Sequence, residues 1–547
     1  MKHMKKLFAL LLVCALMGTF LGCSDDTGYA TRYTRDAAQR TTGARQKPTY
    51  PSDIRTTTKA TKEADPSETQ KPSGGDSGKT EIEGAKYVMI YNPFLFDEQD
   101  YLASYESMRN TGQIGKEIMI GMNRADELQG PDLPEMLSQD ELGKGLEDLK
   151  IEEGGRAGGL AKTYKKGEVH AFYAYTDSNL SQRGLRNFTC IYEGKYCYIW
   201  DLDGSVSAAD AKDLCNEFDT KIYEADTKTF GQGRFTEDGG KVHILFQPLR
   251  KGLGGFFTLY DIFATGEVSD SEIKSYGLNV DHAIININSN MLKTDYDFIR
   301  ATLAHEFQHQ IVATGYVEYN KKQMRTWLNE AMSAYAEDMV YPGTKNEGMF
   351  QVFMFMSDPF RKGQSLYNFS TSGDEYIGAY GAVYMFSQYM KELAGKDVFT
   401  NVHKNYRTGK AGMSEGEMLY KSVPSNVQNQ IDRDYDYPAF IENAFDREED
   451  LWLSKLTLDF FLKSLQMDLG GSKSYGYSAK QVWDLGHKQM FYSEINPQDI
   501  EGGGRMIVAL ENDTFTIPKD AQKGLIFIGL DADFRPVTGL FTAEGKN

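Results

Sequence analysis

The segment "TLAHEFQHQI" (residues 302–311) places two of the chain's eight histidines four residues apart, with a glutamate directly after the first. On a helix, residues four apart differ by about 40° around the axis and rise about 6 Å, so His305 and His309 project from one face. Two imidazole nitrogens can then meet one metal ion, while Glu306 is offset enough to reach a bound water. The spacing predicts a metal site on a helix.

Chance is a weak explanation for this motif. Eight histidines in 547 residues give about 0.12 chance pairs at this spacing, and requiring a glutamate after the first lowers the expectation to on the order of one in a hundred. The motif alone is still only five residues long. A second segment is therefore needed to distinguish a zinc site from a helix that happens to contain histidines.

The segment "TWLNEAMSAYAED" (326–338) supplies that second observation, because Glu330 stands 21 residues after His309. A catalytic zinc ion takes three protein ligands and leaves one position open for water. A carboxylate on a second, antiparallel helix is the natural third ligand. Most helix glutamates are instead solvated, but the apolar neighbours Trp327 and Leu328 favour burial here. We predict that Glu330 is the third ligand.

The segments "LAHEFQHQI", "WLNEAMSAYAED" and "YGAVYMFSQYM" (380–390) resemble the glutamate-zincin metallopeptidases, specifically the hyicolysin-like family. The resemblance extends from about residue 188 to residue 461, roughly half of the chain. It implies a mainly helical, thermolysin-like catalytic domain with one Zn²⁺ per chain, bound by His305, His309 and Glu330. It further implies hydrolysis of peptide bonds by a zinc-bound water, with Glu306 as the general base.

The chain departs from the thermolysin-type pattern at one position. That pattern has an aspartate four residues after the ligand glutamate, where it orients a histidine, but this chain has Ala334. Glu337 or Asp338 is a candidate for this contact instead.

The donor that would stabilise the transition-state oxyanion is not fixed by the motifs. Tyr376, Tyr380 and His403 are candidates, but each is better explained as an ordinary packed residue, so none is assigned a catalytic role. Aminopeptidases of the related branch carry a Gly-x-Met-Glu-Asn segment, which residues 200–300 lack. Its absence favours an endopeptidase.

Two other functions remain open. A non-catalytic surface lipoprotein, such as an adhesin or binding module on a peptidase-like fold, has no need for Glu306, so the intact set of four residues favours an enzyme. A zinc hydrolase of another amide would share every one of these residues. Only substrate profiling distinguishes it from a peptidase.

The first 23 residues predict an export signal. Three lysines among the first six residues precede an apolar run over 7–22, which is too short to span a bilayer comfortably. The run ends in Gly22-Cys23 and resembles a bacterial lipobox, which implies a lipid on Cys23. The alternative is an ordinary secretory signal with an incidental cysteine. The lipid-anchored interpretation places the protein at the bacterial cell envelope, exposed at its surface.

Residues 24–84 are rich in Thr, Ser, Lys, Asp, Pro and Gly, with few large aliphatic side chains. Such a segment cannot bury enough apolar surface to offset its ordering entropy, so we predict a disordered tether. The formal charge of −18 argues against a nucleic-acid partner, because phosphate binding needs a basic face. The expected partners are a protein or peptide substrate and, through Cys23, a membrane.

We predict an α+β, multidomain chain. Its parts are a lipoprotein signal peptide (1–23), the tether (24–84), a β-rich N-terminal domain (85–187), the zinc metallopeptidase domain (188–470) and a small C-terminal β-rich domain (471–547). Within 203–223, Ser207 and Asp210 form a capping-box pattern that opens a helix. Further helices are predicted at 295–314, 326–340, 374–394, 396–407 and 438–466, and strands at 241–249 and 282–290. Gly315, Gly343 and Gly395 are predicted helix ends.

Three cysteines remain after the signal and anchor, and no Cys-x-x-Cys pair indicates a thiolate zinc cluster. A two-residue turn at Glu193-Gly194 would place Cys190 opposite Cys197. A disulfide between them and two buried free thiols are both compatible with this arrangement.

Overall fold

The computed structural model describes the chain from residue 81 onward, with gaps. The described residues are 81–95, 162–177, 180, 182–236, 240–250, 253–318, 324–341, 362–367, 373–410, 413–465, 500–510, 514–517, 524–532 and 534–542. They all belong to one compact unit, Ala60–Asn547. The predicted signal peptide, Cys23 and most of the predicted tether lie outside the described residues.

A six-stranded sheet supports the helices that carry the candidate site. Its strands are β3 (Val169–Tyr175), β4 (Arg183–Glu193), β5 (Cys197–Asp201), β6 (Val242–Gln247), β7 (Gly255–Phe256) and β8 (Ala283–Asn288). Their spatial order is β3-β4-β5-β6-β8-β7, with parallel pairing of β5, β6 and β8 and antiparallel pairing elsewhere. The three parallel strands are buried along their whole length, as expected of strands covered on both faces.

Helices form the rest of this region and pack against the sheet and one another. They are α1 (Ala208–Glu217), a π-helical turn (Phe218–Ile222), α2 (Tyr223–Phe230), α3 (Asp270–Tyr276), α4 (Tyr296–Glu318), α5 (Thr326–Val340), α6 (Gly373–Ala394), α7 (Val398–Thr408), α8 (Glu415–Tyr420), α9 (Ser425–Asp434), α10 (Ala439–Glu442) and α11 (Glu448–Leu465). The chain therefore combines helices and sheets, as the predicted α+β class requires.

Helix α4 lies at the centre of this arrangement, in contact with β7, β8 and α5. Its polar residues from Thr302 to Gln310 are almost completely buried, including both histidines of the motif. The prediction that the helix ends near Gly315 is wrong, because α4 continues to Glu318. Gly315 instead permits a close approach to α7, since a Cβ at this position would lie 2.7 Å from the Tyr406 ring.

A second sheet joins the two ends of the described chain. Its strands are β2 (Tyr87–Tyr91), β9 (Lys362–Ser365), β10 (Gly504–Ala509), β12 (Ile526–Leu530) and β13 (Phe541–Thr542). Their order is β13-β12-β2-β10-β9, so β2 lies between β12 and β10. A separate pair joins β1 (Glu81–Glu83) to β11 (Thr514–Thr516). Strand β1 lies within the segment predicted as tether, and its Ile82 is fully buried.

The division into domains stays a prediction. Strand β4 runs through the predicted boundary at residues 187 and 188, and β2 from the predicted N-terminal domain pairs with strands from the predicted C-terminal domain.

Two helix predictions differ from the structure in length. The helix predicted within 203–223 opens at Ser207 as expected, because Ser207 accepts a hydrogen bond from the Asp210 amide, but it continues beyond residue 223 through the π-helical turn into α2. The helix predicted over 438–466 is divided into α10 and α11, because the chain turns at residues 443–447.

The predicted turn at Glu193-Gly194 is wrong. Glu193 pairs with Tyr198, and a bulge between Cys190 and Tyr192 places Cys190 opposite Trp200 rather than opposite Cys197. The two thiols point to different sides of the sheet, since they belong to different core clusters. Both cysteines are buried and free.

Candidate metal centre

The three predicted ligands come together between α4 and α5. The nearest donor atoms of His305, His309 and Glu330 all lie within 4.8 Å of one another, and each side chain is at most 2% exposed. His305 Nε2 is 3.1 Å from Glu330 Oε2, and His309 Nε2 is 3.5 Å from Glu330 Oε1. The two imidazole rings stand nearly perpendicular, with centroids 4.7 Å apart, as expected of residues one helical turn apart. The three side chains form a compact, buried donor set.

The outer nitrogen of His305 is held by a carboxylate. Its Nδ1 lies 2.6 Å from Oε1 of Glu337, which is on α5, seven residues after Glu330. An ionised carboxylate only accepts hydrogen bonds, so Nδ1 carries the proton and donates it. The inner nitrogen, Nε2, therefore faces Glu330 and is available to a cation. A carboxylate in this position also makes the imidazole a stronger ligand.

The imidazole of His309 is held by a hydroxyl. Ser333 Oγ lies 3.1 Å from His309 Nδ1 and 3.4 Å from its Nε2. The same Oγ is 3.1 Å from the Asn329 carbonyl and close to Gln308 Oε1, so its single proton goes to one of these two oxygens and the hydroxyl accepts from the ring N–H of His309. The Nε2 of His309 also lies 3.5 Å from Glu330 Oε1.

Helix α5 thus supplies the carboxylate between the histidines and both outer contacts. Glu330, Ser333 and Glu337 follow one another at spacings of three and four, which places them on one face of the helix. Glu337 is one of the two residues predicted for a contact to a histidine, whereas Ser333 was not predicted. Its only sequence signal was its position three residues after the ligand glutamate.

The geometry fits a metal ion better than a set of hydrogen bonds. His305 Nε2 and Glu330 Oε2 are 3.1 Å apart, yet neither makes a hydrogen bond within the described structure. Buried polar atoms ordinarily have partners, so two such atoms facing each other fit the coordination of a shared cation. The nitrogen and carboxylate donor set is one that Zn²⁺ prefers.

The electrostatics of the site favour positive charge between the histidines and Glu330. Burial lowers the pKa of His305, but the carboxylates of Glu330 and Glu337 outweigh it and hold that pKa well above its usual range. Burial raises the pKa of Glu330, and the two histidines reverse this and lower it below the usual value. A proton and a metal ion compete for the same nitrogen, so a site that attracts one attracts the other.

Glu306 lies beside the ligands but shares none of their contacts. Its side chain is fully buried, and neither carboxylate oxygen makes a hydrogen bond within the described residues. Burial raises the pKa of Glu306 well above its usual range, and the carboxylates of Glu330 and Glu337 raise it further, while His305 partly opposes them. Such a carboxyl group readily holds a proton, which is what a general acid and base must do.

The remaining predicted residues lie in other contacts. Asp338, the alternative to Glu337, forms an ion pair with Lys391 at 2.9 Å. Tyr380 is buried on α6, and the side chain of Tyr376 lies outside the described residues.

His403 packs between the rings of Phe230 and Tyr406. Burial, together with the charge of Arg407, lowers the pKa of His403 to about 3, so its imidazole is neutral.

Comparison with known proteins supports a link to metalloproteases. The chain is 27% identical over 294 residues to a protein named neutral metalloprotease ShpI from Staphylococcus hyicus. The matched part covers 52% of this chain and 59% of that protein, so the chain spans less than two thirds of its relative's length. No family model matches the chain.

None of the helices within the described residues is long and apolar enough to cross a membrane.

Proposed function

We propose that this protein is a zinc metallopeptidase. The observation that carries the proposal is the convergence of His305, His309 and Glu330, in which the two Nε2 atoms lie 3.1 and 3.5 Å from the Glu330 carboxylate. The partial similarity to a neutral metalloprotease supports the same class.

The proposed reaction is hydrolysis of a peptide bond. When bound, zinc polarises the scissile carbonyl and lowers the pKa of a coordinated water from about 15.7 towards 7. Glu306 takes the proton from the attacking water and then delivers it to the departing amine. The burial of Glu306 and the two nearby carboxylates favour its protonated form after the first step, which supports its second role as an acid.

The finer assignment is to the hyicolysin-like glutamate-zincins, with a thermolysin-like catalytic domain and endopeptidase activity. The support is the two-helix arrangement, in which α4 carries the His-Glu-x-x-His motif and α5 the ligand glutamate. The absence of a Gly-x-Met-Glu-Asn segment from residues 200–300 supports cleavage within chains rather than at an amino terminus.

A peptide-library cleavage assay combined with metal analysis tests the proposal. We expect the purified protein to contain zinc at the His-His-Glu site and to cleave internal peptide bonds. A chelator should abolish cleavage, and added Zn²⁺ should restore it. Bound zinc without cleavage of any peptide would instead favour a binding module or a hydrolase of another amide. A protein without zinc affinity would overturn the assignment.

We further propose that a lipid on Cys23 anchors the protein at the cell envelope. The support is the basic start, the short apolar run and Gly22-Cys23, followed by a polar segment of low hydrophobicity. Cys23→Ala should release the protein from the membrane fraction or leave the signal uncleaved. A variant that fractionates and migrates like the wild type would refute the anchor.

A further inference from the structure

A second group of metal-binding side chains lies outside the His-His-Glu site. Cys197 at the start of β5, Cys215 on α1 and Asp219 on the π-helical turn have donor atoms that all lie within 4.8 Å of one another. These residues are 18 and four positions apart in sequence, so only the fold brings the first to the other two. The group shares no residue with the site between α4 and α5.

The cluster is placed so that an ion could enter and then be shielded. Cys197 and Cys215 are fully buried, whereas Asp219 is half-buried at the surface. Cys215 and Asp219 are one helical turn apart, the same spacing by which two ligands on one helix meet one ion. Two buried sulfur atoms and one carboxylate nearer the surface thus form a set of sulfur and oxygen donors.

The carboxylate of Asp219 is held in place by the turn between β4 and β5. Its two oxygens accept hydrogen bonds from the Lys195 amide at 2.6 Å and the Tyr196 amide at 2.8 Å. Each oxygen keeps a lone pair that these bonds do not use. The side chain is therefore oriented before any ion binds, which lowers the entropic cost of binding.

Gly194 closes the cluster without filling it. A Cβ at this position would lie 2.2 Å from Cys215 Sγ and 2.5 Å from Asp219 Oδ2. Any side chain here would occupy the space next to both donors. The Nζ of Lys241 donates to the Gly194 carbonyl at 2.7 Å and forms an ion pair with Glu193 at 2.8 Å, which holds this turn beside the cluster.

We propose that Cys197, Cys215 and Asp219 form a binding site for a thiophilic divalent cation, such as Zn²⁺ or Cd²⁺. Sulfur ligands select such ions over Mg²⁺ or Ca²⁺. On binding, the two thiols release their protons to solvent, and the ion forms two bonds to sulfur and one to a carboxylate oxygen. A water molecule completes the tetrahedral set. The protein then binds two metal ions per chain, one more than the sequence predicts.

Cadmium binding to the reduced, full-length protein tests this site, because thiolate-to-cadmium bonds absorb in the ultraviolet and bonds to histidine and carboxylate do not. With the His-His-Glu site already filled by Zn²⁺, we expect this absorption to saturate at one equivalent of added Cd²⁺ in the wild type and to vanish in Cys215→Ala. The matched control is Cys190→Ala, which removes a buried thiol from a different core cluster and should keep the absorption unchanged. Glu330→Ala should also keep it, which separates this site from the proposed catalytic one.

A second variant guards against misfolding of Cys215→Ala. Asp219→Asn keeps both thiols but removes the carboxylate ligand. We expect cadmium affinity to fall by about tenfold or more, because removal of a group that only contacts a ligand already costs about tenfold. Absence of thiolate absorption in the reduced wild type would overturn the proposal. Unchanged affinity in Asp219→Asn would remove Asp219 from the ligands and overturn the three-donor site.

Discussion

At the scale of single residues, the site makes a sharp distinction between two glutamates on α5. Glu330 faces both Nε2 atoms, whereas Glu337 contacts only the outer nitrogen of His305. They lie seven residues, or about 10.5 Å, apart along the helix, and zinc–oxygen bonds are about 2.0–2.2 Å, so both carboxylates cannot bind the same ion.

We predict that Glu330→Ala loses zinc and hydrolysis, whereas Glu337→Ala retains zinc at saturating concentrations with an affinity lower by about 10–100-fold. Zinc content and competition with a chelator, measured on both folded variants, provide the test. The adjacent Asp338→Asn is the matched control, because it lies in an ion pair with Lys391 and should leave zinc affinity unchanged. The reverse pattern would move the third ligand to Glu337.

Glu306 should affect turnover without affecting metal content. Glu306→Gln keeps the shape of the side chain but cannot accept a proton, so we expect peptide cleavage to fall by about 10²–10⁴-fold. Zinc stoichiometry should stay close to wild type, because Glu306 shares none of the contacts of His305, His309 and Glu330. Wild-type cleavage rates in this variant would exclude Glu306 as the base.

Asp226 on α2 is a buried acid that the proposed reaction does not use. Both of its oxygens lack a hydrogen-bond partner within the described residues, and burial raises its pKa well above the usual value, with only a partial opposing effect of His305. The folded state thus favours the protonated form. The stability this confers is complete below the unfolded pKa of about 3.9 and is lost as the pH rises through the folded pKa.

Asp226→Asn removes this ionisation, so the variant should be more stable than the wild type at neutral pH. Denaturant titrations from pH 4 to 8 provide the measurement. The advantage of the variant should grow with pH, and a pH-independent difference would contradict the interpretation.

Single-residue chemistry was only partly predictable. The spacing of His305, His309 and Glu330 was sufficient to predict which side chains meet, because helix periodicity and one antiparallel reversal determine it. Helical spacing relates Ser333 to Glu330 and Cys215 to Asp219, but it does not indicate which residues of other elements these side chains or Asp226 meet. Their neighbours are set by how α2, α4, α5 and β5 pack, which local sequence does not encode.

At the scale of elements, strong periodicity predicted the central helices well. Helix α5 occupies the predicted residues 326–340, and α6 ends before Gly395, which has a φ of 90° that favours glycine. Gly315 shows the limit of the same rule. A glycine near a predicted helix end has two possible roles, because it can terminate the helix or let another helix approach it. Gly315 has the second role, since it lies against Tyr406 of α7.

Gly315→Ala tests this packing role. The added Cβ would lie 2.7 Å from the Tyr406 ring, so α4 and α7 must separate or the ring must move. We expect the free energy of unfolding to fall by about 1–3 kcal/mol, as for other overpacked cores. Urea denaturation provides the measurement. Gly416→Ala is not a suitable control, because a Cβ at that position would also lie too close to neighbouring atoms. Gly266→Ala, at a φ of 90° with open space around it, reports backbone strain alone. A stabilised Gly315→Ala would refute the close contact.

At the scale of the whole molecule, the two ends of the described chain depend on each other. Strand β2 has β12 on one side and β10 on the other, and the Tyr91 hydroxyl at its end donates to the Ser454 carbonyl of α11 at 2.9 Å. Sequence order suggested separate N-terminal and C-terminal β regions. Pairing between strands more than 400 residues apart leaves no local trace, so the sequence could predict the strands but not their partners.

Removal of the C-terminal strands should therefore destabilise more than a C-terminal domain. A fragment of residues 1–470 lacks both neighbours of β2 and four fully or almost fully buried aliphatic side chains, Ile507, Ile526, Ile528 and Leu530. At about 1.5–3 kcal/mol for each buried aliphatic side chain, the loss is about 6–12 kcal/mol, comparable with the entire stability of a typical domain, about 5–15 kcal/mol. The residues of the proposed metal centre are all retained in this fragment. We nevertheless expect it to lose cooperative thermal unfolding, measured by circular dichroism, and peptide cleavage, measured by the library assay.

The control is a fragment of residues 1–542, which keeps every described strand and should behave like the full chain. A folded, active 1–470 fragment would show that the metallopeptidase region is independent of the sheet that joins the chain ends.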